Sequence, residues 1–182
     1  EITAWEVGWY GWFPEQRVEA DVRLFREKLN HLVSKPANLF EFIVDNDSRT
    51  DLTGYEWQLR YSLAPGSFVW ASYAYIDNES TEFVETRFTA RQSGSVAVAH
   101  RFSPAWSGAV AWYQTEHQNR VGSRWLGYER LDMRVAHQLP LATRATLQTS
   151  LNLQLHFEDE PGIVGEAYDD RLYGYLAAQL SF

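Results

Sequence analysis

The feature that most constrains this fold is an alternation of apolar and polar residues through RATLQTSLNLQLHFE, residues 144–158. Every second residue of the segment forms one set, which we call one parity, and this set is mostly leucine: Leu147, Leu151, Leu153 and Leu155. The other parity is polar and includes Gln148, Asn152 and Gln154. A period of two predicts a β-strand, because successive side chains then point to opposite faces. Strands in soluble domains usually have about 5–6 residues, so this length indicates either a large soluble sandwich or barrel, or a strand between lipid and water.

The same alternation recurs along the whole chain. It is clear in ITAWEVGWYGWF, RVEADVRLF, GYEWQLRY, RLDMRVAHQL and RLYGYLAAQLSF, whereas FVWASYAYI is apolar on both faces. We count about nine such segments and find no convincing helix. The pattern therefore predicts an all-β protein of antiparallel strands.

The connections between these segments alternate in length. Short turns marked by Pro or Gly occur at FPEQR, LAPGS, FSPAW and QLPLAT, and long polar stretches lie at about residues 29–51, 76–92, 116–129 and 158–170. Outer-membrane barrels have short periplasmic turns and long external loops. Nothing in a soluble sandwich requires short and long connections to alternate, so the pattern favours an antiparallel transmembrane β-barrel.

The aromatic content supports the same interpretation. The 182 residues include 8 Trp, 10 Tyr and 10 Phe, or 15% of the chain. A membrane barrel places such rings in two girdles at headgroup depth. No apolar run approaches the roughly 18 residues of a membrane helix, and the mean hydropathy is −0.39. A negative value is compatible with a spanning strand, which shows lipid only every second residue.

Charge and cysteine content exclude several kinds of partner and chemistry. The formal net charge is −8, and the 16 Lys and Arg residues form no basic run, which argues against a nucleic-acid partner. The chain has no cysteine, so it has no disulfide framework and no thiolate metal site.

The polar parity of the strands carries charges of both signs, which a dry core would accept only with large desolvation penalties. We interpret this parity as the lining of a hydrated lumen; the alternative is the solvent face of a soluble sheet. The candidate ligand-contact residues are Tyr113, Tyr173, Tyr175, Arg130 and Arg134. The residues predicted to face lipid are Leu147, Leu151, Leu153, Leu155, Leu176 and Leu180.

No catalytic or metal motif stands out in the sequence. The histidines have no paired ligand spacing; they are His31, His100, His117, His137 and His156. No G-x-S-x-G stretch occurs, and the acidic segments VDNDSRTD and FEDEPGIVGEAYDD lack the order of a calcium loop. We therefore predict no catalytic residue, no metal site and no cofactor.

The C-terminal segment suggests an orientation. YLAAQLSF is an alternating strand that ends in Phe182, and it resembles the assembly signal of bacterial outer-membrane proteins, whose last strand finishes at the periplasmic rim. Counting back from Phe182 places every short turn in the periplasm and every long loop outside the cell. About nine strands is an odd number, whereas bacterial single-chain barrels use even numbers. We therefore expect residues 1–182 to be the C-terminal part of a longer barrel.

Several segments together resemble a known family. EITAWEVGWYGWFPEQRVEADVRLFREKLNHLV looks like the part of TonB-dependent receptors in which an E-x-G-W/Y strand turns into a strand carrying L-F. DLTGYEWQLRYSLAPGSFVWASYAYID resembles the following hairpin, and YERLDMRVAHQLPL, LNLQL and DRLYGYLAAQLSF are similar to the closing strands. The resemblance covers essentially the whole chain, as the last nine or so strands of a 22-stranded barrel.

The resemblance implies a function that needs more than these residues. Such receptors take up ferric siderophores, cobalamin or other scarce ligands, using a plug domain inside the barrel and a short box that contacts TonB. Neither the plug nor the box is in residues 1–182. The implied partners are outer-membrane lipid, the barrel-assembly machinery, TonB through the N-terminal part, and a small-molecule ligand, for example a metal chelate. Two alternatives stay open: a self-contained small porin-like barrel, and a soluble ligand-binding β-barrel.

Overall fold

The computed structural model describes residues 1–34, 45–81, 90–119, 125–142, 145–157, 160–161, 167–168 and 171–182. Nine strands form one antiparallel sheet, and two strands of two residues each form a separate pair. The strands are β1 (Ile2–Phe13), β2 (Val18–Ser34), β3 (Asp45–Ala64), β4 (Ser67–Ser80), β5 (Gln92–Arg101), β6 (Trp106–Asn119), β7 (Trp125–Ala142), β8 (Ala145–His156), β9 (Glu160–Pro161), β10 (Ala167–Tyr168) and β11 (Leu172–Ser181). The described residues contain no helix long and apolar enough to cross a membrane.

The large sheet is a simple meander. The strands lie in the order β1 to β8 and then β11, and each of these strands pairs antiparallel with the next. The sheet is not closed, because β1 and β11 each pair with a single neighbour. The sheet confirms the prediction of an all-β protein with about nine antiparallel strands. Since the number of strands is odd, the two edge strands run in the same direction.

One end of the sheet, which we call the short-turn end, has brief connections. Residues 14–17 join β1 to β2, and the Arg17 backbone N–H donates to the Pro14 carbonyl at 3.2 Å. Pro65 and Gly66 join β3 to β4, and Gly66 has a φ of +76°. Pro at the first central position and a left-handed Gly at the second are typical of a type II turn. Residues 143–144, between β7 and β8, lie outside the described residues.

At the opposite end, which we call the long-loop end, the strands extend into segments predicted as loops. β2 continues to Ser34, β3 begins at Asp45, and β4 continues to Ser80. The predicted bounds of the long loops were therefore wrong by several residues. The β3 and β4 extensions are polar on both faces, so hydropathy gave no period of two there, although the backbone ladder continues. Residues 35–44, 82–89, 120–124 and most of 158–170 lie outside the described residues, as do Arg144 and Glu158 of the opening segment.

Cross-strand pairing joins the strands into two distinct faces. Leu151 of β8 pairs with Val135 of β7 and Leu176 of β11, and we call their side the apolar face. The neighbouring residue Asn152 pairs with Arg134 and Tyr175, and we call their side the polar face. Directly paired residues share a face, so the register carries both assignments through the sheet to β1.

The burial of the two faces is the reverse of that in a soluble domain. Apart from Ser67 at the start of β4, the buried side chains of the sheet lie on the polar face; they are Phe25, Ser48, Thr50, Ser95, Ala136, Ser150 and His156. Among the register-paired strand positions, the large apolar side chains that are exposed lie on the apolar face, except for Ile2, Tyr10, Trp12 and Tyr175. The sheet therefore curves around its polar face and leaves its apolar face outside.

Candidate functional site

The apolar face carries an uncharged band through the nine strands. On β8 the band runs from Ala145 to Leu155, and on β3 it runs from Thr53 to Tyr61. Within the described strands, the Asp, Glu, Lys and Arg residues of this face lie only toward the long-loop end and include Arg26, Lys28, Arg49, Asp51, Asp77, Glu79 and Glu129, whereas His100 and His137 lie on the same face toward the short-turn end. The band is therefore bounded by charge at that end and continues to the turns at the other.

Aromatic rings lie toward both edges of the band. Near the long-loop end, the rings of Tyr55 and Tyr75 stack with their centroids 5.6 Å apart. Near the short-turn end, the Trp106 and His137 rings lie 4.4 Å apart. Tyr and Trp have an apolar body and a polar tip, which suits an environment that changes from apolar to aqueous along the strand.

Ion pairs stabilise the charged edge beyond the band. The Arg49 guanidinium donates a hydrogen bond to Asp51 and holds the pKa of that carboxyl below its ordinary value, although partial burial acts in the opposite direction. Arg91 donates to Asp77 at 2.8 Å, and this hydrogen bond raises the pKa of Arg91. Each of these pairs has an exposed arginine, so each makes a small contribution to stability.

The polar face carries an ion-pair network across its first three strands. Arg23 on β2 contacts Glu6 of β1 at 3.3 Å and Glu56 of β3 at 2.7 Å. On the same face, the Tyr10 hydroxyl donates to the Glu19 carboxylate at 3.0 Å. Two carboxylates share Arg23, so this part of the face holds more acid than base.

A cavity of about 620 Å³ opens beside this network. Its polar-face lining comes from β2 to β7 and combines charged, hydroxyl and aromatic side chains: Asp21, Arg23, Glu56, Gln58, Trp70, Ser72, Ser95, Tyr113, Thr115 and Tyr128. Ser72 and Ser95 share a hydrogen bond of 2.9 Å on its floor. A volume of this size fits a small organic ligand, and ring faces beside hydrogen-bonding groups are typical of ligand sites.

The structure brings Tyr113 and Arg130 together. The Arg130 guanidinium lies 5.1 Å from the centre of the Tyr113 ring and 5.4 Å from that of Tyr128, which is the geometry of cation–π contacts. Arg130 Nε and Asp132 Oδ1 are 2.8 Å apart without hydrogen-bond geometry, so the contact is an ion pair only. Arg134 lies two polar-face positions from Arg130 along β7, with Asp132 between them, on the side of the short-turn end, and it lines a second, smaller cavity.

The two tyrosines of β11 occupy the same face. The Tyr173 ring packs edge-on against His156 at 5.4 Å, and His156 in turn packs edge-on against Tyr128 at 6.4 Å. Tyr175 is exposed and lies in one register row with Asn152 and Arg134. The five candidate residues thus lie in three successive register rows: Arg130 with Tyr113, Tyr173 in the row of Asp132, and Arg134 with Tyr175.

Tyr128 and His156 were not selected from the sequence, yet they connect the candidate residues. His156 is buried between two tyrosine rings. Both residues have the polar parity of their strands, as Arg130 and Gln154 do. Parity alone does not separate them from the other polar residues, because their neighbours come from β11 and β6 through long-range pairing.

The leucines predicted to face lipid lie together on the apolar face of β8 and β11. Leu151 pairs with Leu176, and Leu147 pairs with Leu180. Leu153 pairs with Gly174, and the Leu153 side chain lies beside the space that a Cβ on Gly174 would occupy. Phe182 follows β11 and is almost fully exposed.

The described residues contain no group of three or more His, Asp or Glu side chains that could hold a metal ion. The side chain of His117 and most of the acidic segment at residues 157–170 lie outside them. The fold and the two faces define an open, all-β meander with a polar inner face and an apolar outer face. Comparison with protein-family models, with curated proteins and with solved structures gave no match to this chain.

Proposed function

We propose that the chain forms part of the wall of a bacterial outer-membrane β-barrel, with lipid against the apolar face and water against the polar face. One observation carries the proposal: the faces are inverted, with polar side chains inside and an uncharged apolar band outside. A monomeric soluble protein rarely exposes a contiguous apolar surface of this extent. Exposure of this surface to water is unfavourable, whereas exposure to hydrocarbon is not, because lipid chains are as apolar as the leucine side chains themselves.

The height of the band fits a bilayer. Ten residue steps separate Ala145 from Leu155, and at about 3.3 Å per step the band extends ~33 Å along β8. A strand tilted by about 40° then spans ~25 Å, the height of the apolar band of outer-membrane barrels. The charged edge at the long-loop end and the aromatic rings toward both edges of the band support this membrane placement.

Within this class, we propose a receptor of the TonB-dependent type that takes up a scarce ligand such as a ferric siderophore or cobalamin. The order of the sequence motifs supports it, as do the open edges of a nine-stranded sheet. The Arg130 row and the 620 Å³ cavity offer rings and charges to such a ligand. Lipid, the barrel-assembly machinery and TonB, through an N-terminal part, complete the set of partners. Phe182, at the periplasmic rim, is the assembly signal.

Spin labels on adjacent residues test the membrane placement. The chain has no cysteine, so Leu151→Cys and Asn152→Cys each introduce a single labelling site on opposite faces of β8. In lipid vesicles, oxygen should reach the label at position 151 and a water-soluble nickel complex should reach the label at position 152. Equal access of the nickel complex to both labels, or recovery of the chain as a soluble monomer without detergent, would contradict the proposal.

A separate observation tests the receptor assignment. The reading frame upstream of Glu1 should encode a plug domain and about thirteen further strands, the number that completes a 22-stranded barrel. A reading frame that adds only one strand, or only an uninterrupted soluble domain, would contradict the receptor assignment. It would not contradict the proposal that the chain forms part of a membrane wall. In the first case the small porin-like barrel takes the place of the receptor.

A further inference from the structure

A small cavity at the short-turn end of the polar face holds two arginines. It has a volume of about 230 Å³ and is lined on this face by Ala99, Arg101, Ser107, Ala109, Arg134 and Ala136. Arg101 pairs with Ser107, and Ser107 pairs with Ala136, one polar-face position from Arg134 on β7. The residues that lie between the two arginines in this register have small side chains, which leave the space open.

The turn between β3 and β4 positions one of these arginines. The Arg101 backbone N–H donates to the Ser67 hydroxyl at 3.0 Å, and Ser67 is almost completely buried. Arg101 Nε and Cζ lie 3.2 and 3.3 Å from the point that a Cβ on Gly66 would occupy. The guanidinium therefore packs closely on the Gly66 backbone, and this contact limits the orientations that the side chain can adopt.

Among the residues that the structure describes, no carboxylate lines this cavity. Among the described residues, neither Arg101 nor Arg134 forms an ion pair, and the nearest acidic residue on the same face of β7, Asp132, is paired with Arg130. Another small cavity near this end differs, because Arg60 shares it with Glu19 and Asp21. Two arginines and a serine line a space that no described carboxylate lines, so the cavity has a surplus of hydrogen-bond donors and positive charge.

We propose that Arg101, Arg134 and Ser107 form a binding site for a phosphate-sized oxyanion. A guanidinium presents parallel N–H groups that match two oxygens of a phosphate, and two such groups with a hydroxyl surround an anion of this size. The cavity volume admits a phosphate with accompanying water but not a bulky organic ligand. The site belongs to the polar face and does not depend on the membrane placement or on the receptor assignment.

Chemical modification of the unmutated chain tests the site. The full chain is refolded in detergent micelles and treated with phenylglyoxal, with and without inorganic phosphate, and each modified arginine is identified by mass spectrometry. Phosphate should protect Arg101 and Arg134 together and leave Arg60 unprotected. Protection of all three to the same extent indicates general screening by salt, and absence of protection at Arg101 and Arg134 indicates an empty cavity; either result overturns the proposal.

Variants then measure the contribution of each arginine. Arg101→Gln and Arg134→Gln should each weaken phosphate binding about tenfold or more, the usual effect of losing a hydrogen bond to a charged group. Arg60→Gln is the matched control and should leave phosphate binding unchanged. Arg134→Lys should bind with intermediate affinity, because an ammonium keeps the charge and loses the paired N–H geometry. Full phosphate affinity in both glutamine variants would contradict the assignment.

Discussion

Phe25 is the one large apolar side chain that is buried on the polar face of the described sheet. Its ring lies over Gly54 of β3, whose missing Cβ leaves the space that the ring occupies. The Arg23 guanidinium lies 5.5 Å from the centre of the same ring. An aromatic ring that covers a glycine on the neighbouring strand protects the backbone ladder at that point. Phe25 is therefore explained by a cross-strand contact and not by an apolar core.

Two substitutions on β8 distinguish the faces at the residue scale. Leu151→Arg places a charge near the middle of the uncharged band, and in lipid vesicles we expect it to lower the free energy of unfolding by about 2–4 kcal/mol. Gln148→Arg, on the polar face of the same strand, should lower it much less, because water reaches that face. Urea unfolding titrations in vesicles measure both values, and equal losses would contradict the face assignment.

Asp51 provides a prediction about pH at the charged edge. Its pKa is lowered in the folded chain, chiefly by the hydrogen bond from Arg49. A lowered folded-state pKa means that the stabilising contribution is present above the ordinary value, about 3.9, and is lost as the pH falls through the folded-state pKa.

We therefore expect the extension of the β2–β3 hairpin to open somewhat more often at acidic pH in the unmutated chain. Amide hydrogen exchange around Thr50 should speed up as the pH falls below the ordinary pKa of aspartate, after correction for the intrinsic exchange rate. Asp51→Asn should show the faster exchange already at neutral pH. If the exchange rates of Asp51→Asn depend on pH in the same way as those of the unmutated chain, the Arg49–Asp51 contact is not the cause of the faster exchange.

At the scale of elements, the type II turn between β3 and β4 depends on one residue. Gly66 has a φ of +76°, a left-handed conformation that disfavours a Cβ, and the added atom would also crowd Arg101. We expect Gly66→Ala to lower the free energy of unfolding by roughly 1–2 kcal/mol. Gly8→Ala is the control, because a Cβ there meets only the Val22 carbonyl at 3.9 Å. Denaturant titrations should separate the two variants; equal stability would show that the turn tolerates either residue.

The long hairpins show that strand pairing continues after the hydropathy pattern ends. Thr50 Oγ1 donates to Ser80 Oγ at 3.0 Å, and both residues lie beyond the apolar band. Polar side chains on both faces are compatible with water on both sides, as expected for hairpins that project past a membrane surface. β3 and β4 therefore each have one segment with two unlike faces and a second segment with two polar faces.

At the scale of the whole molecule, the open edges determine the behaviour of the isolated chain. β1 and β11 each have one side of the backbone without a partner strand in the described sheet. In hydrocarbon, each unsatisfied N–H or C=O group costs several kcal/mol, so neither edge can persist against lipid. The two edges run in the same direction, and pairing them with each other would need a parallel contact, which bacterial single-chain barrels avoid through even strand numbers.

We therefore expect the 182-residue chain to form oligomers or aggregates in detergent, with edges satisfied by other copies. Size-exclusion chromatography with light scattering measures the mass directly. Under the receptor proposal, a full-length receptor that supplies further strands is the control, and in the same detergent it should be monomeric. A monodisperse monomer of the 182-residue chain that unfolds reversibly in one step would favour the self-contained small barrel.

The sequence alone determined the strand class, the strand count, the short turns and the two parities, because these depend on a local period of two and on Pro and Gly at the turns. It placed Leu151 and Asn152 on opposite faces for the same reason. The tertiary structure decided how far the polar hairpins extend, which rows hold Arg130 and Arg134, and that Arg101 meets a cavity without a carboxylate. Those features depend on register between strands distant in sequence, and alternation within one strand carries no information about which residue lies opposite.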